Sequence, residues 1–161
     1  VRSEIRVIDY IEESHKTLDW YAAELQARRY NWGWDFTPHD SEHKDFKTGK
    51  STVEILKSFG RKVKVTPNIP VESGIKAARM TIKQTVFDKT KAGRLVECLK
   101  RYKRAINERT QEPGAPVHDE YSHGADAFRY LSIVAEKLTN EDDAAPIVQQ
   151  WNGPLDAEIG I

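Results

Sequence analysis

Two acidic residues, Asp40 and Asp126, occupy positions where a carboxylate is hard to explain by packing. Asp40 ends the sequence Pro38-His39-Asp40, directly after an aromatic run that is typical of a buried strand. Asp126 lies in the first turn of an otherwise apolar helical pattern. Carboxylate oxygens are the hard ligands that Mg²⁺ and Mn²⁺ prefer, so the pair predicts a metal site. Each residue also has a simpler interpretation, because Asp40 can cap a turn and Asp126 can complement a helix dipole.

Three histidines, His39, His118 and His123, lie close to these carboxylates in the sequence. A histidine beside a metal ligand more often orients a ligand or a substrate than binds the metal itself, so we expect a supporting role. Asp9 is acidic within a predicted strand, and its neighbours favour an exposed position at a sheet edge.

Motifs for other chemistries are missing from the sequence. It contains no HExxH, no paired CxxC and no GxSxG, which disfavours zinc hydrolysis and serine or cysteine nucleophiles. Residues 49–52 read GKST, but the first glycine of a phosphate-binding loop is absent. Ser51 and Glu54 instead have the spacing of a helix capping box.

Alternating strands and helices must position these residues. Strands are predicted at 4–12, 30–37, 62–66 and 86–87, and helices at 17–29, 51–59, 71–84, 91–108 and 122–138, with a loop at 109–121. Thr17 and Ser122 are predicted N-caps. The order predicts a mixed α/β domain. Because sites gather at the carboxyl ends of strands in such sheets, we expect Asp40 and Asp126 to meet at one edge.

Composition predicts one folded domain over residues 1–138 and an acidic, flexible tail over residues 139–161. The 161 residues are 39% apolar and 31% charged, as in globular proteins. The single cysteine, Cys98, excludes an internal disulfide and is expected to be an inert core residue. No apolar run is long enough to span a membrane, so the sequence predicts a cytoplasmic protein.

The net charge is zero, but the charges are unevenly distributed. Residues 76–109 contain 11 Lys or Arg and only 3 Asp or Glu. Such a segment is a candidate surface for a polyanion. A solvated helix face explains the same pattern equally well.

Several segments together resemble the nuclease domain of tailed-bacteriophage large terminases. They are WDFTPHD (34–40), TGKS (48–51), VKVTP (63–67), GIKAAR (74–79) and PVHDEYSHGADAFRY (116–130). They occur in the order and with the spacing of that family, and the resemblance covers roughly residues 1–137.

The resemblance implies a ribonuclease H-like (retroviral integrase-like) fold, with a mixed sheet flanked by helices. It also implies an endonuclease that cuts concatemeric double-stranded viral DNA with two Mg²⁺ or Mn²⁺ ions held by three acidic residues. Asp40 matches the second of these residues and Asp126 the third. The first belongs to an opening strand that has no counterpart here, so we expect a fold lacking its first strand and an isolated chain that is weak or inactive.

The resemblance further implies double-stranded DNA, a portal protein and a small terminase subunit as partners, in the cytoplasm of a bacterial host. Cations expected to hold the DNA backbone are Lys76, Arg79, Lys83, Lys100, Arg101, Lys103 and Arg104. One alternative is a non-catalytic DNA-holding or portal-docking module, with Glu141, Asp142 and Asp143 contacting a partner. Another is a different ribonuclease H-like nuclease, of the resolvase or transposase type.

Overall fold

The computed structural model describes residues 4–138 and confirms the predicted mixed α/β class. Its elements are β1 (Ile5–Val7), α1 (Leu18–Ala27), β2 (Trp34–Thr37), α2 (Thr52–Ser58), β3 (Lys62–Val65), α3 (Val71–Thr81), β4 (Thr85–Phe87), α4 (Gly93–Arg101), β5 (Arg104–Ile106), β6 (Pro113–Pro116) and α5 (Ser122–Ile133). The predicted tail over residues 139–161 lies outside the described residues. No helix within residues 4–138 is long and apolar enough to cross a membrane.

The six strands form three separate pairs. β1 runs parallel to β4, with Ile5 opposite Thr85, and β2 runs parallel to β3, with Trp34 opposite Lys62. β5 and β6 are antiparallel, with Arg104 opposite Pro116. Within residues 4–138 these pairs are not joined into one sheet.

The capping box at the start of α2 is confirmed. The Ser51 hydroxyl accepts a hydrogen bond from the Glu54 amide at 3.1 Å, and the Glu54 carboxylate accepts one from the Ser51 amide at 2.8 Å. The helix ends at Ser58 and is followed by Phe59 and by Gly60, whose φ of 78° favours a residue without Cβ. Helix initiation therefore accounts for the GKST sequence.

The predicted helix over residues 91–108 is wrong in its second half. α4 ends at Arg101 because Tyr102 has an extended backbone, and the following residues form β5. The amide of Val117 donates to the carbonyl of Lys103 at 2.9 Å, which ties β5 to β6. The predicted loop thus contains a strand, and Ile106, which falls within the predicted helix, lies instead in β5 and is 63% exposed.

The boundaries of the last helix also differ from the prediction. α5 begins at Ser122 itself, with Tyr121 in the N-cap position, and ends at Ile133. The Ser122 hydroxyl donates back to the carbonyl of Asp119 at 2.7 Å instead of capping the helix. Asp126 is therefore the fifth helical residue, in the second turn, where the helix dipole stabilises a carboxylate less.

Two apolar clusters hold these elements together. The larger joins β1, α4 and α5 through Val7, Ala92, Leu95 and Phe128. The smaller packs α2 on β3 through Val53, Leu56 and Val63. Within each cluster two residues are three positions apart, Ala92 with Leu95 and Val53 with Leu56, which is a spacing that places side chains on one helix face.

α4 and α5 approach closely at Gly124. A Cβ atom there would lie 2.7 Å from the Cβ of Cys98 and 3.0 Å from the Tyr10 hydroxyl. Cys98 is fully buried at this contact, which confirms its predicted core position. Glycine is thus required by space rather than by backbone conformation.

Candidate functional site

Asp40 lies in an exposed turn that directly follows β2. The turn is closed by backbone hydrogen bonds from Ser41 to Pro38 and from His43 to Asp40, each of 3.0 Å. Among residues 4–138 the Asp40 carboxylate has no hydrogen-bond or ion-pair partner, so it does not cap the turn. It remains available to an external ligand, as does the exposed His39 side chain.

The strand before Asp40 is less buried than its aromatic residues predicted. Trp34 is 49% exposed, and only Thr37 of β2 is fully buried. The reason is that α2 covers one face of the β2–β3 pair, through Val63 of β3, and Trp34 lies outside that cluster.

Asp126 is paired with a cation on its own helix. The Nε atom of Arg129 donates to the Asp126 carboxylate at 3.1 Å, and the Asp126 side chain keeps 38% of its surface exposed. Burial alone would lower the pKa of Arg129, but the hydrogen bond and the charge of Asp126 raise it on balance.

Helix α3 fixes the position of Arg129. A Cβ atom on Gly74 would lie 2.8 Å from Cγ and 2.9 Å from Cδ of Arg129, so the aliphatic stem of the arginine rests directly on the α3 backbone. This contact holds the guanidinium beside Asp126.

Asp126 lines a cavity of about 270 Å³ between α3, α4 and α5. Its walls are largely apolar, but four cations, Arg79, Lys103, Arg104 and Arg129, also line it. Burial and then the charge of Asp126 raise the pKa of Tyr102, another residue of this wall. The cavity therefore combines one carboxylate with an excess of positive charge.

The cations predicted to hold DNA fall into two groups. Arg104 is bound by both carboxylate oxygens of Glu72, at 2.6 and 2.8 Å, and Arg101 pairs with Glu97 at 3.2 Å. The others are exposed, and their side chains have no partner within residues 4–138; they are Lys76, Arg79, Lys83, Lys100 and Lys103. The second group is available to an anionic ligand without breaking an existing ion pair.

Two of the three histidines lie together where α5 begins. The rings of His118 and His123 are 5.5 Å apart in an edge-on arrangement, and Nδ1 of His118 lies 3.1 Å from the Ser122 hydroxyl. Both side chains are exposed. In the described part of the chain, no hydrogen bond or ring contact joins His39 to either of them.

Asp40 and Asp126 by themselves do not form a closed metal centre. No hydrogen bond or ion pair joins the two residues, and residues 4–138 contain no group of three His, Cys, Asp or Glu side chains placed to hold one ion. Each remains a single carboxylate.

The sequence reasoning missed Arg129 and Gly74. Arg129 is three residues after Asp126, and that spacing on a helix is a usable signal for an ion pair. The part played by Gly74 depends on how α3 packs against α5, and no local pattern indicates it.

Nothing matches this chain among family models, curated proteins or solved structures. Its function must therefore be inferred from the residues themselves.

Proposed function

We propose that this chain is the metal-dependent endonuclease domain of a phage-type large terminase, with a ribonuclease H-like organisation. It would hydrolyse phosphodiesters of concatemeric double-stranded DNA in a bacterial host. Portal protein and small terminase subunit are the partners that the same resemblance proposes.

The observation that carries this proposal is the composition of the Asp126 cavity. Asp126 and three of the cations expected to hold DNA, Arg79, Lys103 and Arg104, line the same space. A carboxylate surrounded by cations suits a phosphodiester, because the cations attract the backbone while the carboxylate supplies a ligand or a base near it.

The fit of the two carboxylates to a metal is partial. Asp40 is a free oxygen donor, whereas Asp126 is already paired with Arg129. In the proposal both are ligands, and no residue of this sequence matches the remaining acidic ligand of that family. Two bound Mg²⁺ or Mn²⁺ ions would supply positive charge at the scissile phosphate and an activated water.

A second candidate function is a DNA-holding module without catalysis. The free cations on α3 and α4 favour it, because they bind a duplex whether or not a metal centre is complete. The two candidates differ only in cleavage, and one experiment separates them.

The test is nicking of supercoiled plasmid by the purified chain in Mn²⁺, together with calorimetric titration of Mn²⁺. We expect slow nicking that falls more than about 100-fold in Asp40→Asn and Asp126→Asn, because even a residue that only supports a metal ligand is worth about 10- to 100-fold. Asp19→Asn, an exposed aspartate on α1, is the matched control and should nick normally.

Undiminished nicking by both variants would overturn the site assignment. Duplex binding with neither nicking nor Mn²⁺ binding by the unaltered chain would reject the nuclease and leave the DNA-holding module as the function.

A further inference from the structure

Three aromatic residues, Tyr30, Trp32 and Trp34, alternate along the segment that leads into β2, and each has a cation over its ring. The Lys91 ammonium lies 5.3 Å from the ring centre of Tyr30, the Arg61 guanidinium 4.6 Å from that of Trp32, and the Lys64 ammonium 4.0 Å from that of Trp34. We call these six residues the aromatic–cation row.

Most of the row is exposed to solvent, with Trp34 at the start of β2 and Tyr30 and Trp32 in the segment before it. Trp32 and Trp34 keep 37% and 49% of their surface open to solvent, and Lys64 and Lys91 are exposed. The rings of Tyr30 and Trp32 are 5.6 Å apart, which places both on one side of the segment. Exposed apolar surface at adjoining positions is a feature of interaction sites.

Arg61 has a supporting role in this row. Its side chain is 6% exposed and donates to both carboxylate oxygens of Asp35, so the guanidinium is held in place against the ring of Trp32. The ammonium groups of Lys64 and Lys91 remain at the surface.

The charges facing the row are mostly positive. The acidic groups there are Asp35, neutralised by Arg61, Asp9, which accepts from the Tyr30 hydroxyl at 3.0 Å and lies 3.2 Å from Nε of Arg28, and Asp88, whose charge acts on Lys91. The Lys91 ammonium also donates to the Tyr30 hydroxyl at 2.9 Å. The side chains of Lys64 and Arg29 are exposed, and no carboxylate pairs with either of them within residues 4–138. The surface therefore combines stacking rings with two uncompensated cations, Lys64 and Arg29.

We infer that the aromatic–cation row binds single-stranded DNA, with bases stacked on Trp32 and Trp34 and phosphates beside Lys64 and Lys91. Binding sites for single strands combine these two elements, aromatic platforms and a basic track, and every base has a face on which to stack. The choice of DNA among polyanions rests on the proposed function, whereas the row itself is separate from Asp40, Asp126 and the cavity.

The test is fluorescence anisotropy with a labelled oligothymidine of about 12 nucleotides, measured in EDTA so that binding is independent of cleavage. We expect Trp32→Leu and Trp34→Leu each to weaken binding about 5- to 150-fold, while Trp34→Phe keeps most of it. Trp20→Leu is the matched control, because Trp20 also carries a lysine, Lys16, at 5.2 Å but lies on α1.

Two further DNA ligands distinguish binding by base stacking from binding by charge. An abasic oligomer of the same length should bind more weakly than oligothymidine and should not distinguish the tryptophan variants. Binding of a duplex competitor should be the same for the unaltered protein and for Trp34→Leu.

Equal binding of the abasic and thymidine oligomers, or unchanged oligothymidine binding by folded Trp32→Leu and Trp34→Leu proteins, would overturn the inference. Failure of plasmid nicking would not, because that result concerns the proposed nuclease alone.

Discussion

Cys98 shows how one buried side chain is protected chemically by its surroundings. It lies between α4 and α5, against Gly124, with its Sγ atom 3.9 Å from a Glu12 carboxylate oxygen. Burial, the largest cause, raises the pKa of the Cys98 thiol above its ordinary value, and the Arg94 charge offsets this only in part. Since the thiolate is the reactive form, the thiol is inert as long as the helices stay together.

We therefore expect Cys98 to react with Ellman's reagent at pH 8 far more slowly in the folded protein than in guanidinium chloride. The pKa is raised, so the folded protein contains less thiolate at this pH than the unfolded chain. A Ser73→Cys variant, with its new thiol on the exposed side of α3, provides the fast-reacting control. Equally rapid labelling of Cys98 in the folded and unfolded protein would contradict its placement.

The residue types that carry the candidate chemistry could be predicted from the sequence, but the packing around them could not. Asp40 follows a strand as expected, and Asp126 lies on the expected helix. The spacing of Asp126 and Arg129 indicates their ion pair, because residues three apart on a helix are neighbours. The contact of the Arg129 stem with α3 at Gly74 is set by packing between distant parts of the chain, which local patterns do not indicate.

At the scale of elements, the contact between α4 and α5 depends on the absence of a side chain at Gly124. An added methyl group has nowhere to go, because the Cβ of Cys98 is fixed to the α4 backbone and cannot rotate away. The two helices would have to separate at the larger apolar cluster.

Gly124→Ala should consequently lower the free energy of unfolding by about 1–3 kcal/mol, as overpacking of a core does. Alanine has the higher helix propensity, which works against this loss. Gly93→Ala measures the effect of helix propensity without overpacking, because no atom lies within 4 Å of a Cβ at Gly93 in the first turn of α4. Urea denaturation of both variants measures the difference, and a Gly124→Ala protein at least as stable as Gly93→Ala would refute the close approach.

Elements with strong local sequence signals were predicted correctly, whereas a segment whose structure depends on pairing with a distant strand was not. The capping box and Gly60 mark α2 correctly at both ends. The basic segment after Arg101 has good helical propensity, yet it pairs with Pro113–Pro116, because tertiary pairing outweighs a propensity of a few tenths of a kcal/mol per residue. Strand pairing of this kind is not recorded in local sequence.

At the scale of the whole molecule, a net charge of zero conceals a strongly basic region. Lys76 and Arg79 of α3 and Lys100 of α4 are exposed and have no partner within residues 4–138. The acidic residues of the same region are already bound, since Glu72 pairs with Arg104, and Glu97 pairs with Arg94 and Arg101. An anionic polymer therefore meets a positive surface even though the chain is neutral overall.

Binding of duplex DNA should therefore weaken steeply with salt, with a logarithmic slope that counts the phosphates contacted. Replacing Arg79 and Lys103 together by glutamine should reduce that slope by about 2, since each lost phosphate contact removes about 1. Lys137→Gln, an exposed lysine after α5, is the control and should leave the slope unchanged. An unchanged slope in the double variant would place the duplex elsewhere on the protein.

The parallel pairing of β1 with β4 also determines how the chain reaches this structure. Ile5 lies opposite Thr85, so forming the pair closes a loop of about eighty residues, whereas the two strands are only three residues each. The few hydrogen bonds of so short a pair do not offset the entropy lost in closing this loop. We therefore expect β1 to dock as Val7 enters the cluster around Phe128. This long-range pairing is accordingly expected to form late in folding and more slowly than the local helices.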